Sequence, residues 1–198
     1  IAAAVSAARC GANTALIERY GILGGMMTSG AVHPILGNTA PNTMYQEVCA
    51  LLNEGHENVP KDTTRNGSEI HVDPEEAKYR LLKLVCNSGV KLYLQTPIAD
   101  VCKDGNRVTG VTVVTQDGLV TLNAKCVVDS TGDGFVAYRA GAEYHVGRES
   151  DGRCQPLSTE FTLENVDEAR AITCWGGSDP VTMPDGKKFS VFCREAHD

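Results

Sequence analysis

Hydrophobic and polar positions divide the chain into segments of helical and strand period. Residues 1–10 are small and apolar, with Gly11 directly after them, which predicts a helix ended by glycine. Residues 13–18 form a short apolar run closed by Glu18, the pattern of a strand following that helix. Residues 21–37 are glycine-rich and fit neither period. Residues 45–53 carry Val48, Leu51 and Leu52 at helical spacing, and residues 55–68 are polar and patternless, the mark of a surface loop. Asp73-Pro74-Glu75-Glu76 is a helix start: Asp73 can cap, Pro74 suits the first helical position, and Glu76 lies three residues after the cap. The helix that follows places Ala77, Leu81, Leu82, Leu84 and Val85 on one broad face and stops at Gly89.

Residues 90–94 alternate as a strand. Residues 98–103, 107–116 and 118–122 then read as three strands joined by Asp104-Gly105-Asn106 and Asp117-Gly118, a β-meander over about 98–123. Asp-Gly between β-rich runs is a strong hairpin signal. Residues 125–129 read as another buried strand, followed by the turn Ser130–Gly134 and a helix to Ala140. Beyond Gly141 the signals predict a strand at 160–163, a short helix at 166–171, turns over 176–188 and a strand at 189–193. The predicted architecture is α/β, with an inserted antiparallel meander and a second module starting near residue 142.

Composition narrows the function classes. The formal net charge of −7 argues against nucleic-acid and anionic-membrane partners, because the long-range field repels phosphate. No apolar run reaches the length of a transmembrane helix. The eight cysteines form no Cys-x-x-Cys pair and no His cluster accompanies them, so no metal site is predicted. Cys86 and Cys126 fall in apolar runs and are expected to be buried free thiols, in keeping with a reducing, cytoplasmic setting. The expected partner is a small-molecule substrate; the sequence assigns no oligomeric state.

Three constellations could carry chemistry. Glu18, closing a strand and followed by Arg19, suits a carboxylate acceptor for ribose hydroxyls at the edge of a sheet; many surface strands also end in an acid. Gly24-Gly25-Met26 could bring backbone amides close to an anion, with a flexible surface loop as the rival reading; Gly21, Gly30 and Gly37 among apolar residues favour a backbone packed tightly against something. Asp129-Ser130-Thr131-Gly132-Asp133-Gly134 could present amides and a hydroxyl to a ligand, or could be an ordinary capped helix start. His33 is a candidate proton donor or acceptor, with a structural loop histidine as the plainer reading. Arg148 and Gln155 could line a substrate pocket.

Taken in order, these segments resemble the FAD-dependent oxidoreductases of the glutathione-reductase-like, two-dinucleotide-binding class. The group's cofactor loop reads E-R-x-G-x-L-G-G-M, and this chain reads Glu18-Arg19-Tyr20-Gly21-Ile22-Leu23-Gly24-Gly25-Met26. The stretches 124–133 and 147–156 are similar to that group as well, so the resemblance spans about residues 1–163. It implies a Rossmann-like FAD-binding domain over 1–141 and the beginning of a substrate or cap domain over 142–198. By the same resemblance Glu18 binds the adenosine ribose and Arg19 packs near adenine or ribose. Gly24, Gly25 and Met26 run along the cofactor, Pro97 and Ile98 edge the adenine, and Thr131, Gly132 and Asp133 form a second cofactor-contacting turn. The implied activity is transfer of a hydride or electron pair between an organic substrate and FAD. The group's G-x-G-x-x-G loop, which precedes the helix beginning here at Ile1, is absent. The resemblance therefore implies an internal segment of a longer enzyme, with the FAD-binding domain partial and the segment alone inactive. An NAD-binding dehydrogenase module and a non-catalytic binding module with the same fold are the rival readings.

Overall fold

The computed structural model describes residues 1–32, 35–36, 43–55, 69–70, 72–154, 165, 181–182 and 188–189. They fall into two compact units, Ile1–Ser158 and Thr159–Asp198.

Helix α1 (Ala2–Arg9) is built from alanine, the strongest helix former, and turns Ala4 and Val5 inward. Gly11, at φ +85°, redirects the chain into strand β1 (Ala15–Ile17). Strand β2 (Ile35–Leu36) and helix α2 (Met44–Asn53) follow. Strand β3 (Glu69–Ile70) pairs antiparallel with β2, and helix α3 (Pro74–Asn87) leads into strand β4 (Lys91–Tyr93). β1 and β4 pair in parallel, with Ala15, Leu16 and Ile17 opposite Lys91, Leu92 and Tyr93.

The start of α3 is as its sequence dictates. Asp73 Oδ1 accepts from the amides of Glu75 at 2.8 Å and Glu76 at 3.0 Å, and Pro74 occupies the first turn. Ala77, Leu81 and Val85, at i, i+4 and i+8, pack into one core with Ala4, Val5, Leu23, Leu52, Val72 and Val90. Polar ties fix the helices to one another. Arg9 forms a two-pronged pair with Glu47 at 2.7 and 2.6 Å, and Arg80 donates to the carbonyl oxygens of Leu51 and Glu54 at the end of α2.

Strands β5 (Ile98–Asp104), β6 (Arg107–Thr115) and β7 (Gly118–Asn123) form the antiparallel meander in the order β5-β6-β7. Gly105 and Gly118 take positive φ at its two hairpins. Gly110 lies so near the Leu122 carbonyl that a Cβ there would stand 2.3 Å from the oxygen. Helix α4 (Phe135–Ala140) packs on β5, where Lys103 Nζ donates to the Ala140 carbonyl at 2.6 Å. In the second unit, β8 (Val181–Thr182) pairs antiparallel with β9 (Lys188–Phe189).

Three sequence expectations are corrected. Residues 125–129 are neither strand nor buried: Cys126 is exposed and Val128 is 66% exposed. An apolar run becomes a strand only when a neighbour completes its ladder, and no described strand pairs with this one. Leu82 lies one residue beyond the buried row of α3, so 100° of helical rotation leaves it 38% exposed. Cys86, next to Val85 on the same helix, is likewise exposed. The glycine-rich stretch 21–37 contains a 3-10 turn at Gly25–Met27 and the short strand β2, elements too brief to show periodicity. The expectations for 55–68 (apart from Gly55), 160–163, 166–171 and most of 189–193 lie outside the described residues.

Candidate functional site

The carboxyl ends of β1 and β4 meet in two interlocked turns. The β1 ladder runs one residue past Ile17, where the Glu18 amide donates to the Tyr93 carbonyl at 2.8 Å. The chain leaving β4 then returns two amides to the same stretch: Gln95 N–H to the Tyr20 carbonyl and Thr96 N–H to the Glu18 carbonyl, each at 2.9 Å. Thr96 is buried, and its hydroxyl donates to the Leu94 carbonyl at 2.7 Å. Pro97 and Ile98 follow at once, with Pro97 accepting from the Val114 amide and Ile98 opening β5. Glu18, Arg19, Pro97 and Ile98 are thereby gathered on these two turns, where ligands of α/β sheets bind.

The half-buried Glu18 carboxylate is oriented by one bond, from the Tyr20 amide to Oε1 at 2.9 Å. Its Oε2 accepts from no group among the described residues. Arg19 is exposed; its guanidinium donates to the Tyr20 hydroxyl at 2.8 Å and stacks 4.6 Å from the ring centre.

The glycine loop follows. Gly24 has φ +114°, and a Cβ there would stand 2.6 Å from the Thr28 side chain. Thr28 is buried and donates to the Leu23 carbonyl at 2.7 Å, latching the loop to the core through Leu23. The amides of Met27, Thr28, Ser29, Gly30 and Val32 donate back to the carbonyls of Gly24, Gly25 and Met26. The front of the loop is left able to meet an anion. The amides of Gly24, Gly25 and Met26 have no acceptor among the described residues, and the Met26 side chain is 65% exposed. Between this loop and α3 lies a depression of about 260 Å³, floored by Ile22, Leu23 and Leu94 and walled by Tyr79 and Leu82. Sequence reading missed it by placing Leu82 in the core.

The third constellation is arranged differently. Asp129 Oδ1 accepts from the Thr131 amide at 2.9 Å and Oδ2 from the Ala137 amide at 2.8 Å; Thr131 Oγ1 accepts from the Phe135 amide at 2.8 Å. Burial pushes the Asp129 pKa up, but the amides of Ala137, Thr131 and Val136 together with the Thr131 hydroxyl outweigh it and hold the carboxyl below the ordinary range. Asp129 and Thr131 thus cap α4, while Gly132 and Asp133 stand exposed at the turn. No hydrogen bond or ion pair joins this turn to Glu18 or to Gly24–Met26 among the described residues.

Arg148 is held by Asp151, with Nε 3.0 Å from Oδ1, inside a tight turn where the Gly152 amide returns to the Arg148 carbonyl. The Arg148 pair and the Arg153 amide lower the Asp151 pKa. His33 and Gln155 lie outside the described residues. Among the described residues no group of His, Cys, Asp and Glu could hold a metal, and no helix is long and apolar enough to cross a membrane.

A family model described as FAD dependent oxidoreductase matches residues 1–193, and the chain belongs to that family. Among solved structures, THI4 from Thermovibrio ammonificans is 22% identical, with TM-score 0.52, over 96% of this chain and 72% of that one; the two share a Rossmann-like α/β fold. A geranylgeranyl bacteriochlorophyll reductase-like protein from Thermoplasma acidophilum is 17% identical, TM-score 0.49, over 72% of this chain. This chain spans only 39% of that one's length. Glycine oxidase from Bacillus cereus is 15% identical, TM-score 0.42, over 69% of this chain and 55% of its own. No curated protein sequence matches the chain. FAD is the family's cofactor, and the residues present fit its adenosine end. Glu18 Oε2 is an acceptor without a described donor, of the kind a ribose diol requires, and the amides of Gly24, Gly25 and Met26, without an acceptor among the described residues, suit an anionic or carbonyl group.

Proposed function

We propose that this chain builds the adenosine side of the FAD site in an oxidoreductase that passes a hydride or electron pair between an organic substrate and the flavin. The observation that carries the reading is the Glu18 residue: its carboxylate is fixed by the Tyr20 amide, half-buried at the carboxyl edge of the parallel strands, with one oxygen that has no partner among the described residues. In this reading Glu18 accepts from the ribose hydroxyls, while Arg19, Pro97 and Ile98 border the adenine. Gly24, Gly25 and Met26 follow the cofactor toward the flavin, and Thr131, Gly132 and Asp133 supply a second contact from the α4 turn. His33 is the candidate for moving a proton. When bound, FAD supplies the redox chemistry, and the protein contributes binding, orientation and exclusion of water.

Residues 1–141 form the FAD-binding part in this account, and 142–198 begin the substrate-binding part. The six described cysteines are free thiols, which supports a cytoplasmic setting. Replacing Glu18 with alanine in the full-length protein is expected to weaken FAD binding by about 1–3 kcal/mol, through loss of a charged acceptor. Titration of the apoprotein with FAD measures this, and an unchanged dissociation constant would remove Glu18 from the site. An NAD-binding module would instead lose affinity for NAD and show no flavin absorption.

A further inference from the structure

We infer that Gln95 is a positioning residue for the Glu18 carboxylate, acting through the backbone of Tyr20. The inference rests on the reading that Glu18 binds the cofactor. In an extended chain successive amides point to opposite sides, yet the amides of Gln95 and Thr96 both donate into the three-residue stretch Glu18–Tyr20. Two consecutive amides can converge only if the residue between their peptide planes leaves the extended region, and Gln95 does so with φ +51°. A left-handed backbone is unfavourable for a glutamine, which lacks the local hydrogen bonding that lets Asn and Asp enter that region. The neighbours impose it. Before Gln95, Tyr93 is fixed in β4; after it, Thr96 is buried and bonded to the Glu18 carbonyl.

Tyr20 is held from both sides as a result. Its carbonyl accepts from Gln95, and its amide donates to Glu18 Oε1, so the residue whose amide orients the carboxylate is itself tied to Gln95 through its carbonyl. The Gln95 side chain lies beside Gly21, where an added Cβ would sit 3.4 Å from Nε2, covering the turn on the side without a side chain of its own. Relaxing Gln95 to negative φ breaks the paired donation, frees the Tyr20 carbonyl and loosens the bond that aims Glu18.

The test measures FAD dissociation constants on the full-length apoprotein by quenching of flavin fluorescence, alongside thermal unfolding without FAD. Gln95→Thr places a β-branched residue at positive φ and should weaken FAD binding by about tenfold. Gln95→Gly enters the same region without strain and should stay within about twofold of the original. Added to Glu18→Gln, Gln95→Thr should cost no more than about twofold further, because its effect passes through the carboxylate already removed. A Gln95→Thr protein that binds FAD normally, or one that loses about tenfold again in the Glu18→Gln background, overturns the inference. If Gln95→Thr does not fold, Gln95→Ala takes its place. It should fall between wild type and the tenfold loss and recover with glycine, and equal affinity for Ala and Gly overturns the inference. A Glu18→Gln protein with unchanged FAD affinity defeats the cofactor reading and this inference with it, whereas a weakened Glu18→Gln beside a silent Gln95→Thr defeats this inference alone.

Discussion

Two turns in this chain look alike as strings of letters: Leu16-Ile17-Glu18-Arg19 and Val127-Val128-Asp129-Ser130 each close an apolar run with an acid and lead toward glycines. Their carboxylates have opposite fates. Asp129 is followed within six residues by α4, and both its oxygens are taken by amides of that turn and helix. Glu18 is followed by a loop, and only one of its oxygens has a partner among the described residues. Whether an acid closing an apolar run is free to bind a ligand is thus decided by the segment after it. A helix start offers orphan amides that claim the carboxylate, while a loop that closes its amides on its own carbonyls leaves it open.

The contrast can be broken from either side. The largest effect is expected at Asp129→Ala, which strips two amide bonds from a carboxylate and should lower stability by about 2–3 kcal/mol, read by chemical denaturation. Glu18→Ala should instead change the stability of the FAD-free protein by less than about 0.5 kcal/mol, since its single side-chain bond lies within an exposed turn. A destabilisation at Glu18 as large as that at Asp129 would erase the distinction. Thr131→Ala removes one capping acceptor and should cost about 1 kcal/mol.

The Asp129 cap also carries a pH dependence. The folded-state pKa of Asp129 is depressed, so its contribution is present in full above the ordinary carboxyl pKa of about 4. It is lost as pH falls through the lowered folded value. The stability gap between wild type and Asp129→Ala should therefore narrow in acid, and a constant gap from neutral pH down to about 2 would show that the charge is irrelevant to the cap. The smallest effect is expected at Arg148→Ala, which breaks an exposed ion pair with Asp151 and should leave stability almost unchanged, with any difference fading in high salt.

The parts legible in the sequence are those whose cause is local. The cap, proline and acids of residues 73–76 announce α3 because every partner lies within four residues. The Asp-Gly turns announce the meander for the same reason. What could not be read depends on distant neighbours. Residues 125–129 have the letters of a buried strand, but burial needs a partner that no local pattern reveals. Leu82 differs from Leu81 only by its angle around the helix. Glu18 was legible as an acid closing a strand; that only one of its oxygens finds a partner among the described residues was not. Gln95 gave no signal at all, because a left-handed glutamine is imposed by Tyr93, Thr96 and the Glu18 turn, whereas a glycine or asparagine there would have pointed to the bend.

The most direct measurement is a visible absorption scan of the purified full-length protein after mixing with FAD and desalting. Retained flavin bands that are lost or diminished in Glu18→Ala but kept, per folded molecule, in Arg148→Ala are the predicted result. A wild-type protein that emerges colourless, or a Glu18→Ala protein that keeps its flavin undiminished, would contradict the account.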